Sequence, residues 1–355
     1  MAKDTTGKGT TVGLDLGDKE STYAVLDADG EVSARGKVAT TAPALEKLVR
    51  RLGQAKVVME VGTHSPWVSR FLKEKGLTVV VANPRQLALI SRSARKNDRN
   101  DAELLARLGR MDERLLSPVE HRGQEAQEHL AIIQARAQLV AQRSALVNHV
   151  RGTVKAHGER LPSSVSANAF ARKMAELIPQ GLRAALLPIL VLIEQQTETI
   201  HHYDGEVARL AKEVYPETGA LRQVVGVGGL TALAYVLTLQ EKGRFKRSRQ
   251  VGAYLGLVPR QQESGERRPE LHVTKAGDSY LRTLLVQCAH YILGPFGPDT
   301  KLRRWGLKLA GEGSTARKKR ALIAVARKLA VLLHRLWVSG EVYEPFYGEE
   351  QPIAA

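Results

Sequence analysis

The stretch TVGLDLGDKESTYAVLDADGEVSARGKV, residues 11–38, has the pattern of three short strands. TVGLDL is apolar and contains β-branched residues, and STYAVLD alternates between polar and apolar residues. EVSARGKV follows the turn sequence Asp-Ala-Asp-Gly, which is typical of a hairpin connection. The stretch therefore predicts three meandering strands at the start of a sheet.

Helical and strand patterns alternate after this meander. Helices are predicted over 42–51, 63–75 and 100–111, and the apolar runs at 56–60 and 77–82 are typical of buried strands. The order β-β-β-α-β-α-β-α predicts an α/β domain with a mixed sheet and helices on both faces. This is the layout of the ribonuclease H-like (RuvC-like) fold.

The remainder of the chain is predicted to be mostly helical. One heptad-like stripe runs from Leu130 to Val147 and includes Ser144, and a second runs from Leu190 to Val214 and is weakened by Thr197 and Asp204. They predict an α-helical coiled-coil hairpin over 116–215 that serves oligomerisation, with an ordinary helical domain as the alternative. A compact, mostly α-helical domain is predicted over 216–340, and it starts with the helix-hairpin-helix-like sequence VVGVGGLTA at 224–232. Residues 1–115 then form the α/β domain and 341–355 a tail.

Charge indicates the class of partner. The 355 residues contain 53 Lys+Arg and 37 Asp+Glu, a net charge of +16, and 22 − 12 = +10 of it lies after residue 215. This concentration favours nucleic acid, read through its phosphates. The predicted nucleic-acid contacts are Gly226, Gly228, Gly229, Lys242, Arg244, Lys246, Arg247, Arg249, Arg267, Arg268, Lys275, Arg317, Lys318, Lys319 and Arg320.

Composition also excludes some classes of protein. The single cysteine, Cys288, excludes a disulfide framework and a multi-cysteine zinc site. No apolar run reaches the roughly 18 residues of a membrane span, and the first residues, MAKDTTGKGTT, lack the apolar stretch of a signal peptide. We therefore expect a cytoplasmic, nucleoid-associated protein without a membrane partner.

Four acidic residues form a candidate metal site. Asp15 ends the first predicted strand and Glu60 the fourth, while Asp98 and Asp101 lie three residues apart near the start of a helix and hence on one face. In a ribonuclease H-like sheet these strand ends are neighbours. Four converging carboxylates repel one another unless cations neutralise them, so the pattern predicts two Mg²⁺ ions, with Mn²⁺ as the alternative.

Motifs along the whole chain resemble one protein family. They are VGLDLGDK at 12–19, MEVGTH at 59–64, KNDRNDA at 96–102, VGVGGLTA at 225–232, RFKRS at 244–248, AYLGLVPR at 253–260, ESG at 263–265 and KAGDSYLR at 275–282. In this order they resemble the DEDD transposases of bacterial insertion sequences, which combine a RuvC-like N-terminal domain with a serine-bearing C-terminal domain. Gly17-Asp18 and Asn97 depart from the usual pattern without removing a carboxylate.

The resemblance implies a reaction. A family member is a site-specific DNA recombinase that excises and inserts its element by metal-assisted strand exchange through a phosphoserine. The matching serine is Ser264, with Ser248 as a weaker competitor. The resemblance further implies double-stranded DNA partners (element ends and target), an element-encoded guide RNA, and a homo-oligomer in which dimers assemble to a tetramer.

Two alternatives remain open from the residues. Asp15-Leu16-Gly17 followed by Ser21-Thr22 is similar to the first phosphate loop of actin-like and sugar-kinase-like ATPases. A second phosphate turn and a glycine-rich adenosine site are not found in the sequence, and the basic C-terminal domain has no role in such an enzyme. The other alternative is an inactive nucleic-acid-binding scaffold.

Overall fold

The computed structural model describes residues 9–83, 98–261 and 271–346, with the backbone alone for residues 98 and 99. The chain divides into two compact units, residues 1–124 and 125–355. The three-part division predicted from the sequence stays a prediction.

A five-stranded mixed sheet forms the centre of the first unit. Its strands are β1 (Thr11–Asp15), β2 (Glu20–Leu26), β3 (Val32–Ala39), β4 (Lys56–Glu60) and β5 (Thr78–Ala82), and its helices are α1 (Ala42–Leu52), α2 (Ser65–Glu74) and α3 (Asp98–Met111). The strand order is β3-β2-β1-β4-β5. β1 pairs antiparallel with β2 and parallel with β4, β3 is antiparallel to β2, and β5 is parallel to β4. The predicted α/β class and mixed sheet are confirmed.

Both faces of the sheet are covered by helices. Leu14 of β1 and Met59 of β4 pack with Leu45 of α1 and Val68 of α2 in one buried cluster. On the opposite face, residues of β4 and β5 pack with α3, and Val58 and Leu105 belong to this second cluster. The alternation of side chains along a strand explains why successive residues belong to different clusters.

The second unit is helical, which confirms the mostly α-helical character predicted for this part of the chain. Its helices are α4 (Gln124–Ala156), α5 (Phe170–Met174), α6 (Arg183–Arg209), α7 (Thr218–Arg222), α8 (Gly229–Leu239), α9 (Arg249–Tyr254), α10 (Ser279–Leu293), α11 (Lys301–Ala310) and α12 (Thr315–Ser339). A π-helical turn, Leu210–Val214, continues α6. Short 3₁₀ turns cover Ala167–Ala169, Ala175–Leu177, Gln180–Leu182 and Lys242–Arg244 in this unit, and another, Glu113–Leu116, follows α3 in the first unit.

α4 and α6 form an antiparallel pair. Arg136 Nε lies 2.6 Å from Asp204 Oδ1, and the guanidinium of Arg143 donates to Thr197 Oγ1 over 3.1 Å. The residue number rises along α4 as it falls along α6, which is the geometry of a helical hairpin. Its coiled-coil character stays a prediction.

Two separate cores stabilise this hairpin. At one end, Val150 and Ile193 pack with Phe170 of α5. At the other end, Leu130 and Val207 share a core with the C-terminal helices, and that larger cluster includes Tyr235, Leu285 and Leu329. The end of the hairpin near Leu130 is therefore continuous with the C-terminal helices.

Among the described residues, no single helix is both long enough and apolar enough to span a membrane. The stretches Ala167–Leu177 and Gln180–Val214, bent by 116° at their junction, reach the required length and hydropathy only when taken together.

Candidate functional site

Asp15 and Glu60 lie at the same edge of the sheet. Each is the last residue of its strand, and the parallel register sets Leu14 of β1 opposite Met59 of β4. Gly13 and Val58 lie against α3, because a Cβ on Gly13 would overlap the carbonyl oxygen of Ala102 and one on Gly109 would overlap Val58. Two residues further along, the side chains return to this face. Both carboxylates therefore belong to the α3 face, at the carboxyl ends of neighbouring strands.

Helix α3 runs antiparallel to β1 and β4. Its C-terminal end lies near the start of β4, where Lys56 Nζ donates to the Gly109 carbonyl over 3.4 Å and lies 2.6 Å from Glu113 Oε1. Ala102, near the other end, lies against Gly13. The first turn of α3, with Asp98 and Asp101, thus extends toward the carboxyl ends of β1 and β4.

Polar contacts attach α3 to the edge strand β3 and to the turn between β2 and β3. Glu103 of α3 accepts hydrogen bonds from Arg35 of β3 and from Arg107. The Arg35 guanidinium, and after it Arg107, holds the pKa of Glu103 below its usual value. Further along, Arg110 Nη1 donates to the Asp27 carbonyl over 3.1 Å. The angle of α3 across the sheet is fixed by these polar contacts as well as by glycine.

The donor chemistry at this edge suits a hard cation. All four predicted ligands offer carboxylate oxygens, which Mg²⁺ prefers, and none offers nitrogen or sulfur. Among the side chains that the structure describes, no three Asp, Glu, His or Cys groups are close enough to hold a metal ion. Asp98 is described by its backbone alone. The metal site itself therefore stays a prediction.

His64 joins the loops that follow the two acid-bearing strands. Its Nδ1 accepts a hydrogen bond from Trp67 Nε1 at 3.0 Å, and its Nε2 lies 3.5 Å from Asp18 Oδ1. This contact links the segment after Glu60 to the segment after Asp15. His64 is not among the site residues predicted from the sequence, and Asp18 was named there only as a departure from the family pattern. A histidine four residues after the strand-end glutamate is the signal that marks this position.

Ser65 closes the turn behind His64. Its hydroxyl donates to the Gly62 carbonyl over 2.8 Å and accepts from the Gly62 N–H over 3.0 Å. His121 Nε2 lies 2.8 Å from the same hydroxyl. Burial, together with the nearby charges of Arg70, Lys73 and Arg122, lowers the pKa of His121. A neutral imidazole therefore supports the turn that follows β4.

Ser264, Arg267 and Arg268 lie outside the described residues, and the segments on both sides of them are paired. Pro259 bridges Val273 antiparallel. The hydrogen bonds run from Arg260 N to His272 O at 3.0 Å and from Thr274 N to Val258 O at 2.9 Å. We call these segments, residues 255–260 and 271–277, the serine-loop base.

Arg282 of α10 clamps the serine-loop base. Its Nη1 donates to the carbonyl of Leu255 at 3.0 Å and to that of Ala276 at 2.8 Å, so one guanidinium contacts both segments. Lys275 has a φ of 54°, and its N–H donates to the Gly256 carbonyl over 3.1 Å. The two segments approach so closely that a Cβ on Gly256 would overlap the backbone of Ala276. The ends of the loop that carries Ser264 are thus held together.

Residues 242–249 form a second predicted contact surface, which we call the basic segment. The guanidinium of Arg244 lies 4.9 Å above the ring of Tyr254. Lys242, Lys246, Arg247 and Arg249 are exposed. The only acidic residue within two positions of either end is Glu241. The segment therefore presents several cations to solvent.

The glycine turn before α8 has the backbone that its sequence predicts. Gly226 has a φ of +94°, and a hydrogen bond from Val227 N to Val224 O closes the turn. Gly228 is the N-terminal cap of α8, and Gly229 is its first residue. Gly228 is exposed, whereas every residue of α8 from Thr231 on is buried, so the exposed part of this element is its start.

The start of α12 presents the remaining predicted cations. Lys318, Lys319 and Arg320 are exposed on it. Arg317 is also exposed, but its Nε donates to the Leu309 carbonyl at the end of α11 over 3.1 Å. Arg317 therefore closes the turn between α11 and α12 in addition to any contact with nucleic acid.

Comparison with known proteins gives matches along most of the chain. A DEDD transposase model of the IS110 type matches residues 12–158, and a model described as Transposase IS116/IS110/IS902 family matches residues 219–301. The first range includes the four predicted acidic ligands, and the second includes the basic segment and Ser264.

Individual relatives are transposases as well. The transposase for insertion sequence element IS1111A of Coxiella burnetii is 30% identical over 299 residues, which cover 81% of this chain and 79% of that protein. A probable family 20 transposase of Pseudomonas aeruginosa is 27% identical over 94% of this chain and 98% of its own. The transposase for insertion sequence element IS1328 of Yersinia enterocolitica is 24% identical, again over 94% and 98%.

Proposed function

Because the chain belongs to the IS116/IS110/IS902 family of transposases, we propose that it excises and inserts an insertion sequence by metal-assisted strand exchange through a phosphoserine at Ser264. The observation that supports this most directly is the placement of acidic residues at one edge of the sheet in the first unit. Asp15 and Glu60 end neighbouring parallel strands there, and α3 extends its acidic first turn toward them.

The proposed metal ligands are Asp15, Glu60, Asp98 and Asp101. Divalent ions held there would neutralise the carboxylates and stabilise negative charge on the attacking and leaving oxygens of a phosphodiester. The chain's own contribution is to orient the ligands. Because Gly13 has no Cβ, α3 can approach β1 closely at Ala102, and this contact sets the distance between α3 and the sheet. His64, through Asp18, keeps the two flanking loops in contact.

The proposed chemistry conserves the number of phosphodiester bonds. The hydroxyl oxygen of Ser264 attacks a DNA phosphorus, a serine–phosphate ester forms, and the P–O bond to the adjoining deoxyribose breaks as that oxygen takes a proton. A deoxyribose hydroxyl of another strand then attacks the same phosphorus and releases the serine. A serine hydroxyl is weakly nucleophilic and requires activation. We assign this activation to the carboxylate edge, within one subunit or between two.

Phosphate binding is assigned to the second unit. The basic segment and the start of α12 offer exposed cations, and the glycine turn leads into the N-terminus of α8; such groups bind phosphates without reading bases. We propose double-stranded DNA and an element-encoded RNA as the partners, with base pairing supplying the sequence choice. Strand exchange involves two duplexes, so we also propose that dimers assemble to a tetramer. A recombinase that acts on chromosomal DNA would be associated with the nucleoid, and we propose this location in the cytoplasm for the protein.

The test looks for the covalent intermediate. Purified protein is incubated with element-end DNA, target DNA, the flanking transcript and Mg²⁺, and protein–DNA adducts are separated under denaturing conditions. We expect an adduct with the wild type and with Ser248→Ala, and none with Ser264→Ala. An adduct with Ser264→Ala would refute the nucleophile.

A second arm of this test addresses the metal ligands. Asp15→Asn and Glu60→Gln should each remove the adduct while retaining duplex binding, because these substitutions delete a ligand charge but little volume. The wild type should also lose the adduct in EDTA and regain it with Mg²⁺ or Mn²⁺. Binding without any adduct under all these conditions would favour an inactive scaffold.

A further inference from the structure

His334 of α12 contacts both ends of the basic segment. It is buried, with 1% of its surface exposed. Its Nε2 lies 3.1 Å from the carbonyl oxygen of Lys242, and its Nδ1 lies 3.0 Å from Ser248 Oγ. A carbonyl only accepts hydrogen bonds, so Nε2 carries the ring hydrogen, and Nδ1 of the neutral ring accepts from the Ser248 hydroxyl. One side chain thereby holds two points that are six residues apart.

Aromatic contacts hold the middle of the segment in place. The Phe245 ring lies 5.6 Å from the His334 ring and 5.3 Å from the Tyr254 ring, edge to face in both cases. The Arg244 guanidinium lies 4.9 Å from the centroid of the Tyr254 ring. The apolar residue of the segment therefore points into the unit, and the cations on either side of Phe245 remain at the surface.

A segment fixed in this way differs from a flexible basic loop. Lysine and arginine side chains lose rotamer freedom when they bind phosphate. A backbone already held at its two ends and its middle adds no further ordering cost. Tyr254 also connects the segment to the serine-loop base, since its carbonyl meets Gly277 so closely that a Cβ there would overlap it. The basic segment is thus connected through Tyr254 to the serine-loop base.

We propose that His334 is a positioning residue that fixes residues 242–249 as a preformed array for the phosphate backbone of nucleic acid. The inference rests on the proposed function, which supplies the partner. His334 itself is buried and acts through Lys242, Phe245 and Ser248.

The test measures binding and its salt dependence. Affinity for a fluorescent duplex of arbitrary sequence is determined by anisotropy at salt concentrations between about 50 and 200 mM, where phosphate contacts dominate. His334→Asn keeps an oxygen that can accept from Ser248 but loses the donor to Lys242. We expect the affinity of this variant to fall about fivefold or more. The slope of log Kd against log salt concentration should become shallower by roughly one to two, because one or two phosphate contacts are lost.

The matched control is His129→Asn. His129 lies in the same unit, where its Nδ1 is 2.9 Å from the Tyr215 hydroxyl and its ring meets the Tyr215 ring edge to face. Its loss should lower the melting temperature without changing the salt slope. Ser248→Ala keeps the imidazole and removes one anchor, and it should shift the slope of log Kd against log salt in the same direction as His334→Asn but less.

The outcomes separate the two proposals. An unchanged slope in His334→Asn overturns the positioning role, whatever happens to the melting temperature. If that variant fails to fold, an unchanged slope in Ser248→Ala overturns it instead. A wild type that forms the adduct while both slopes stay unchanged refutes only the positioning role. A wild type without an adduct, but with shallower slopes in both variants, refutes only the phosphoserine chemistry.

Discussion

Gly13 of β1 and Ala102 of α3 touch backbone to backbone, with no space for a side chain between them. The contact lies two residues before Asp15 and one residue after Asp101. The separation between strand and helix at this point is therefore set by the absence of a Cβ. Any side chain at position 13 must push α3, and its acidic first turn, away from the sheet.

Gly13→Ala tests this relationship. Overpacking typically costs about 1–3 kcal/mol and occasionally more, and here the overlap involves the helix backbone, which has little freedom to move. We expect a loss at or above the upper end of this range and loss of the adduct, as measured by urea unfolding and the denaturing gel. Gly62→Ala is the control, because a Cβ there meets open space. Equal stability of the two variants would contradict the packing argument.

Arg282→Lys separates the clamp on the serine-loop base from its charge. In the wild type, the planar guanidinium donates to one carbonyl in each of the two segments of the base. Lysine keeps the positive charge but has no planar group that can make both hydrogen bonds. We expect adduct formation to fall about tenfold, or about 1.4 kcal/mol, while duplex affinity stays within about twofold. Thr283→Ala, which removes only a bond within α10, should leave the adduct rate unchanged. A rate in Arg282→Lys equal to that of the wild type would show that the loop ends need no clamp.

Stability should fall in mild acid through His334. Burial lowers the pKa of His334 below its usual 6.5, outweighing the opposing effect of the Lys242 carbonyl. The unfolded chain then binds the proton more readily, so the free energy of unfolding is highest above about pH 6.5 and decreases as pH drops from there toward the folded-state pKa. Urea unfolding between pH 8 and pH 5 measures this. His334→Asn should show a flatter profile, and a profile as steep as that of the wild type would assign the effect to other groups.

The helical hairpin contains a buried arginine, Arg143. We expect the loss of one of its hydrogen-bond partners to lower the free energy of unfolding more than the loss of the arginine itself. Arg143 Nη1 donates to Thr197 Oγ1 and to Asn168 Oδ1, while Nε finds no partner among the described residues. Thr197→Val removes one partner and should cost about 1–3 kcal/mol of unfolding free energy. Arg143→Met removes the desolvated charge and should be close to neutral or stabilising. Thermal unfolding ranks the two variants, and a larger loss in Arg143→Met would contradict this reasoning.

The sheet was predictable because its signals are local. The pattern at 56–60 matches β4, and the helix expected over 63–75 is observed as Ser65–Glu74. The strand order itself was not predicted and comes from the structure. The position of Asp15 beside Glu60 was expected because the strand ends that carry them are neighbours in a ribonuclease H-like sheet.

Contacts between distant residues were not predictable in this way. In α4 the heptad-like stripe was expected to include Ser144, yet Ser144 is exposed and Arg143 is buried. Thr197, which weakens the stripe of α6, accepts a hydrogen bond from Arg143. The link from His334 to Ser248 spans 86 positions. Such pairs depend on how helices pack against each other, and no periodicity within one helix encodes them.

The two cores of the α4–α6 hairpin lie far apart along α4. Leu130 belongs to the core shared with the C-terminal helices, and Val150 to the separate core at the other end. Twenty helical residues separate them, a rise of about 30 Å. One turn of duplex DNA is about 34 Å long. The stretch of α4 between the two apolar clusters is therefore nearly as long as one turn of duplex DNA, and each of its ends is held by its own cluster.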